Sequence, residues 1–368
     1  MKSVETATYS HPKTLIVGVH SPFNPIKDIN AYFEEFKNLV ISNGIPYEES
    51  YFTRLRSVDP AYFLTKGKVE ELIELCKEKG IEEVIFSDPL TPVQERNLSE
   101  VLRCPVFDRT QLILEIFEKG AQTAEGQLQV ELAMLHHKKS RLAGRGIHMS
   151  QQAGRIGTRG PGETAKEKEL QHIERRSNKL HKDLLQLAKT RETQRKQRLG
   201  AKVPHICLIG YTNAGKSTIL NALTQSDVLA ENRLFATLDT TTRELYIDSK
   251  KKGVISDTVG FIQQLPHNLI EAFKSTLTEL KYAHLLLHII DSSDANWEHH
   301  VRVVMEVLKE LDVDKPMLYV FNKIDLVETP ADLEPAINKY QPHVLVSSLS
   351  KEGLTPLLDF LREWSPEN

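Results

Sequence analysis

The stretch Gly210-Tyr-Thr-Asn-Ala-Gly-Lys-Ser217 decides the fold of the second half of this 368-residue chain. It is a GxxxxGK[ST] pattern lying between the apolar run His205-Ile-Cys-Leu-Ile209 and the helical run Ser217-Thr-Ile-Leu-Asn-Ala-Leu223. A strand, a glycine-rich turn and a helix start, in that order, gather backbone N–H groups around phosphates. Gly210, Asn213, Ala214 and Gly215 are expected to form that turn and Thr218 to follow it. Lys216 is expected to reach the β and γ oxygens and the Ser217 hydroxyl to ligate Mg²⁺.

Such a loop leaves adenine and guanine open, and Asn322-Lys-Ile-Asp325 chooses between them. The Asp325 carboxylate can accept two hydrogen bonds from N1–H and N2–H₂ of guanine, whereas adenine lacks that donor pair. An unpaired buried polar group costs about 1–3 kcal/mol, more when charged, so the NKxD motif predicts a GTP/GDP site. Three more elements fall in the expected order. Asp257-Thr-Val-Gly260 supplies an Asp for Mg²⁺ and a Gly whose N–H can meet the γ-phosphate. Thr237 and the run Thr240-Thr-Thr-Arg243 offer switch hydroxyls, and Thr237, Thr241 and Thr242 all stay open as the metal ligand. Ser347-Ser-Leu349, after the run His343-Val-Leu-Val346, matches a last guanine-contacting loop.

Catalysis is assigned to Lys216, Gly260 and Thr241. Directly after Gly260, where many small G proteins have a water-orienting Gln, stands Phe261, which cannot hydrogen-bond a nucleophile. Intrinsic hydrolysis is therefore expected to be slow, with help from a partner, from Gln263 or Gln264, or from an ion. For Asn213 two readings stand side by side, a K⁺ ligand and a residue that only caps the loop.

No apolar stretch approaches the roughly 20 residues of a membrane span, and the polar start Met1-Lys-Ser-Val-Glu has no secretory core. A cytoplasmic protein with no membrane span, a monomer, is expected. Cys76, Cys104 and Cys207 stand singly in apolar or helical segments, which fits reduced core thiols. The net charge of −3 hides an asymmetry: between His136 and Lys202 eighteen Lys and Arg face six Asp and Glu. A block of that sign between globular regions points to a polyanion partner.

The expected fold class is α/β in three parts. Residues 1–109 alternate apolar runs such as Thr14–Val19 and Glu83–Phe86 with amphipathic segments, the pattern of a parallel-sheet α/β domain, here without a phosphate loop. Residues 110–200 read as a long antiparallel helical hairpin, its first arm running from Thr110 to Leu142. Leu114, Phe117, Ala121, Ala124, Leu128 and Leu135 give one stripe, and Leu170, Ile173, Leu180, Leu184 and Leu187 the other. Between the arms lies a Gly-rich loop whose Arg145, Arg155 and Arg159 are candidate RNA contacts. Residues 201–368 form the doubly wound, GTP-binding G domain.

This order of parts resembles the HflX GTPases of the translation-factor class. The residues that carry the resemblance are Val106-Phe-Asp-Arg-Thr110, Gly157-Thr-Arg-Gly-Pro-Gly-Glu163, Phe235-Ala-Thr-Leu-Asp-Thr-Thr-Thr-Arg243 and Asp257-Thr-Val-Gly-Phe-Ile262. The resemblance implies a GTP-hydrolysing factor that engages the ribosome large subunit and its rRNA and splits or keeps apart the subunits, notably under stress. Two other readings use the same parts: a GTPase of rRNA maturation, ribosome assembly or tRNA modification, and a switch for a protein partner.

Overall fold

The computed structural model describes residues 12–22, 28–144, 161–200, 203–224, 235, 241–264, 269 and 277–366. It divides into two compact units, residues 1–116 with 135–175, and residues 117–134 with 176–368.

The first unit is built on four strands: β1 (Thr14–His20), β2 (Tyr47–Arg54), β3 (Glu83–Phe86) and β4 (Val106–Phe107). Their order is β2-β1-β3-β4 with every neighbour parallel. Six of the seven residues of β1 are buried, as expected of a strand covered on both faces, whereas β2, at an edge, alternates. Helices α1 (Ile29–Ser42), α2 (Lys66–Lys79) and α3 (Pro92–Leu102) make the crossovers. Their ends are written in sequence. Asp28 caps α1, Gly80 closes α2 at φ 64°, and α3 opens on a Thr91/Gln94 capping box with Pro92 following. Leu15, Val17, Leu72, Val84, Phe86 and Leu98 fill the core.

The Val106–Thr110 motif acquires a structural reason here. Asp108, 1% exposed, accepts from the Leu90 N–H (3.0 Å), the Gln111 N–H (2.9 Å) and Arg141 Nη2 (2.6 Å). Arg141 also donates to the Leu90 carbonyl (2.8 Å) and pairs with Glu95 (2.7 Å). Fully buried Arg109 pairs with Glu35 and lies 4.9 Å from the centre of the Tyr32 ring.

The helical region corrects one expectation. Its first arm is two helices, α4 (Arg109–Gly120) and α5 (Ala124–Gly144). Gly120 ends the first, and the Thr123 hydroxyl accepts the Gly126 N–H (3.0 Å) to start the second. The break rotates the apolar stripe. Leu114, Phe117 and Ala121 are buried as expected, but Ala124 is exposed, Leu128 and Leu135 are half-buried, and Val130 and Ala133 take the inner positions. The return arm, α6 (Pro161–Gly200), is continuous over 40 residues and buries Ile173 and Leu180. Ion pairs Lys138–Glu169 and Lys139–Glu174 hold the arms in the first unit, and Arg176–Glu131 in the second.

The rest of the second unit is a six-stranded sheet: β5 (His205–Gly210), β6 (Thr241–Ile247), β7 (Lys250–Asp257), β8 (Leu285–Asp291), β9 (Met317–Asn322) and β10 (His343–Leu345), in the order β10-β9-β8-β5-β7-β6. It is parallel except for the pair β6–β7. Thr241, Thr242 and Arg243, read from sequence only within a run of switch hydroxyls, therefore lie in an edge strand. The hairpin closes on Asp248 and Ser249, at φ 51° and 63°, the two left-handed residues that suit the twist of the strands it joins. Helices α7 (Lys216–Thr224), α8 (Trp297–Glu310), α9 (Pro330–Ile337) and α10 (Thr355–Glu363) belong to the same unit. Ile206, Leu208, Leu220, Ile255, Leu287, Val320 and Leu357 form its main core. All three cysteines are buried, and none is in a disulfide.

Candidate functional site

At the carboxyl end of β5 the chain leaves the sheet through Gly210 and enters α7 at Lys216, so the turn between them lies at a helix N-terminus. Gly215 is fixed by geometry. Its φ is +97°, and a Cβ there would lie 2.2 Å from Asn322 Nδ2. Asn213 adopts φ 59°, a conformation Asn tolerates and a turn residue needs here.

Lys216 is buried and points back along the loop, donating to the carbonyls of Tyr211 (2.8 Å) and Gly210 (3.2 Å). Burial pulls its pKa down to about 8, against a smaller opposing effect of the Asp257 charge. The Ser217 hydroxyl donates to Asp257 Oδ2 (2.7 Å), while Asp257 Oδ1 accepts the Thr258 N–H (2.9 Å). Two oxygen side chains of the type that Mg²⁺ takes thus stand side by side at the helix start.

The guanine-reading segments meet at the same end of the sheet. Asn322, fully buried at the end of β9, donates through Nδ2 to the Ala214 carbonyl (2.9 Å) and accepts through Oδ1 from the Ser348 N–H (3.2 Å). One side chain therefore ties the phosphate loop to the Ser347–Leu349 loop. Lys323, at φ 60°, donates to Asp291 Oδ2 (2.6 Å), and Asp291 Oδ1 is held by the Ser293 N–H (3.0 Å) and hydroxyl (2.6 Å). Asp325 and Leu349 are exposed.

These residues and their pattern are those of known proteins. Residues 30–118 match the family model of the GTP-binding GTPase N-terminal region, 120–198 that of the GTP-binding GTPase middle region, and 205–323 that of the 50S ribosome-binding GTPase. GTPase HflX of Escherichia coli strain K12 is 41% identical over 350 residues, covering 94% of this chain and 81% of that relative. GTPase HflX of Caldanaerobacter subterraneus is 43% identical over 326 residues, 88% of this chain and 75% of that relative. The chain belongs to the HflX GTPase family. A solved structure of SsGBP in complex with GDP shares the fold of this HflX chain, with a TM-score of 0.52 at 24% identity over 95% of this chain and 98% of that one. As a family member the chain is a GTP-hydrolysing enzyme that binds guanine nucleotide.

Within this HflX site, Gly210, Asp257 and Asn322 are the last residues of their strands, and Asn213, Ala214, Gly215, Lys216, Ser217, Thr218, Gly260, Lys323, Asp325, Ser347, Ser348 and Leu349 lie on the turns and helix starts that follow strand ends. Thr241 opens β6 in register with Asp257. Thr242 shares a 2.8 Å hydrogen bond with the Ser256 hydroxyl, so its oxygen is engaged within the sheet. Thr237 and the arginines Arg145, Arg155 and Arg159 lie outside the described residues. Phe261 is 2% exposed, an apolar side chain packed inward at the position of the missing glutamine.

Sequence reasoning missed two groups. Asp291, which holds Lys323, was findable as a carboxylate at the carboxyl end of a parallel strand. Phe235, of the switch sequence, is 5% exposed and packs on Phe117, with ring centroids 4.6 Å apart. No local pattern announces that contact. Among the described residues no group of three or more His, Cys, Asp or Glu side chains is arranged to hold a metal, and no helix is long and apolar enough to cross a membrane.

Proposed function

We propose that this HflX-family GTPase is a ribosome-binding factor that engages the large subunit and its rRNA and splits or keeps apart ribosomal subunits, with stress as its setting. The observation that carries the partner is the match of residues 205–323 to the 50S ribosome-binding GTPase model, on a chain whose middle region is strongly basic. The division of labour follows the three parts 1–109, 110–200 and 201–368. Arg145, Arg155 and Arg159 serve as phosphate-neutralising contacts. The protein acts as a monomer in the cytoplasm.

In the nucleotide site, Ser217 and Asp257 would hold Mg²⁺, with Thr237 or Thr241 as the switch hydroxyl; Thr242 is the poorer choice because Ser256 already engages it. Mg²⁺, when bound, neutralises charge on the phosphates. Lys216 holds the β and γ oxygens, the Gly260 N–H meets the γ-phosphate, and Asp325, Asn322 and the Ser347–Leu349 loop read guanine. Because Phe261 is buried and apolar, turnover needs help from the ribosome or from a K⁺ near Asn213.

Co-sedimentation with purified large and small subunits tests the reading. Binding to large subunits with a non-hydrolysable GTP analogue but weakly with GDP, faster GTP turnover on adding them, and dissociation of intact ribosomes on a sucrose gradient are expected. Equal turnover with and without ribosomes, or binding indifferent to the nucleotide, overturns it. Replacing K⁺ by Na⁺ tests the ion, and an unchanged rate returns Asn213 to a loop cap.

A further inference from the structure

The second residue of the phosphate loop, which the GxxxxGK[ST] pattern leaves unspecified, is a tyrosine with a specific set of contacts. Tyr211 is 6% exposed. Its ring lies flat on His300 of α8, with centroids 3.9 Å apart and planes within 9°. Its hydroxyl accepts the backbone N–H of Gln263, 2.9 Å away and buried.

The main chains of the same two segments are also joined. The Phe261 N–H donates to the Gly210 carbonyl (3.1 Å) and the Thr212 N–H donates to the Phe261 carbonyl (2.8 Å), a parallel bridge between Tyr211 and Phe261. Three hydrogen bonds thus fasten residues 261–263 to residues 210–212. Just before them is Gly260, pressed so close that an added Cβ would lie 3.0 Å from Lys216 Nζ and 2.9 Å from Thr212 Cγ2. The end of the Asp257–Gly260 motif is therefore held against the ammonium that reaches for the β and γ oxygens.

We propose that Tyr211 is a positioning residue for GTP hydrolysis: its hydroxyl clasps the segment after Gly260 onto the phosphate loop, so that the Gly260 N–H stands at the third phosphate. The two bridge bonds are backbone to backbone and open to almost any residue. The bond to Gln263 needs a side chain that rises from the loop and ends in an acceptor, and the His300 ring fixes the direction in which Tyr211 rises. Because Gly260 faces the place of the γ-phosphate, the clasp acts on the triphosphate states and not on GDP. The inference concerns the hydrolysis reaction itself and stands whether or not the ribosome is the partner.

Tyr211→Phe keeps the ring, its stacking on His300 and both bridge bonds, and removes the hydroxyl that accepts the Gln263 N–H. Loss of one hydrogen bond is expected to lower kcat, and the preference for a non-hydrolysable GTP analogue over GDP, by about fivefold each. GDP affinity and thermal stability should match the unaltered protein. Amide exchange of residues 261–264 should quicken in the analogue-bound variant, which reports the clasp without relying on turnover. His300→Ala, which removes the backing ring and leaves the hydroxyl, should give a smaller change in the same direction. If Tyr211→Phe keeps the original kcat and analogue preference, or weakens GDP and analogue equally, Tyr211 is a packing residue of the loop and the proposal is wrong.

Discussion

The two sheets of this molecule treat cations at the carboxyl ends of their strands in opposite ways. In the first unit Arg141 meets two carboxylates, Asp108 and Glu95, and Arg109 meets Glu35. In the second, Lys216 is held by the carbonyls of Gly210 and Tyr211, and burial pulls its pKa down to about 8. Carboxylates neutralise a cation and make it part of the core. Carbonyl dipoles orient a cation without neutralising it and keep its charge for an arriving anion. Related α/β frames thus yield a closed ionic cluster in one case and a phosphate site in the other, and the difference lies in a few residues after the strands.

Deleting one cation from each unit should separate the two roles. Lys216→Met should lower kcat/KM for GTP by on the order of 10²–10³-fold, the scale set by removing a donor from a preorganised anion site, with little loss of stability. Arg141→Met should do the reverse. It strands Asp108 and Glu95 and should cost about 3 kcal/mol, read as faster amide exchange in β1–β4, with GTP turnover unchanged. If Arg141→Met abolished turnover while amide protection held, the first unit's cluster would belong to the reaction and the contrast would fail.

Next in size is the base. Asp325→Asn should weaken GTP by on the order of 10²-fold and admit xanthosine nucleotides, whose C2 oxygen accepts from the new amide. Competition between GTP and XTP for the variant measures it. A retained preference for GTP would move guanine reading to Asn322 and the Ser348 backbone.

Much of this site was legible because it is local. A phosphate loop needs Gly215 where the backbone turns left-handed against Asn322, and an NKxD motif needs its Asn at a strand end, so residue type and position suffice. The first unit was equally readable, since a covered parallel strand such as Thr14–His20 is apolar from Leu15 to Val19. What escaped depends on contacts distant in sequence or on one turn. The break between α4 and α5 rests on Gly120 and the Thr123 cap within a continuous helical periodicity. The β6–β7 hairpin turns on Asp248-Ser249, without the glycine that usually marks such a turn. Phe235 meets Phe117 across more than a hundred residues of chain, and no periodicity encodes that pairing.

The depressed pKa of Lys216 gives a smaller effect with a definite sign. In the nucleotide-free protein the ammonium loses its proton above about pH 8, whereas bound phosphates favour the charged form. Binding then takes up a proton, so GDP affinity should fall as pH rises past 8, by up to about tenfold per unit. In Lys216→Met that slope should vanish. A slope that survived the substitution would place the titrating group elsewhere.

The smallest effect concerns a second buried base in the same unit, and it tests whether both depressed basic pKa values there serve the ligand. His288, in the middle of β8, is 1% exposed, and its Nδ1 has no hydrogen-bond partner among the described residues. Burial first, and the Lys216 charge second, pull its pKa down to about 3. In the unfolded chain the ring takes a proton near its ordinary value of 6.5, while the folded ring stays neutral. Between those values the unfolded state binds more protons, so stability should fall as pH falls from 6.5, by up to about 1.4 kcal/mol per unit. Both tryptophans, Trp297 and Trp364, lie in the second unit, so their fluorescence in urea follows that unit alone. His288→Phe, apolar and close in shape, should flatten the acid slope while GDP affinity near pH 7 stays where it was. If the substitution also weakened GDP, His288 would share the role of Lys216, and a depressed pKa in this unit would mark the ligand site in both cases.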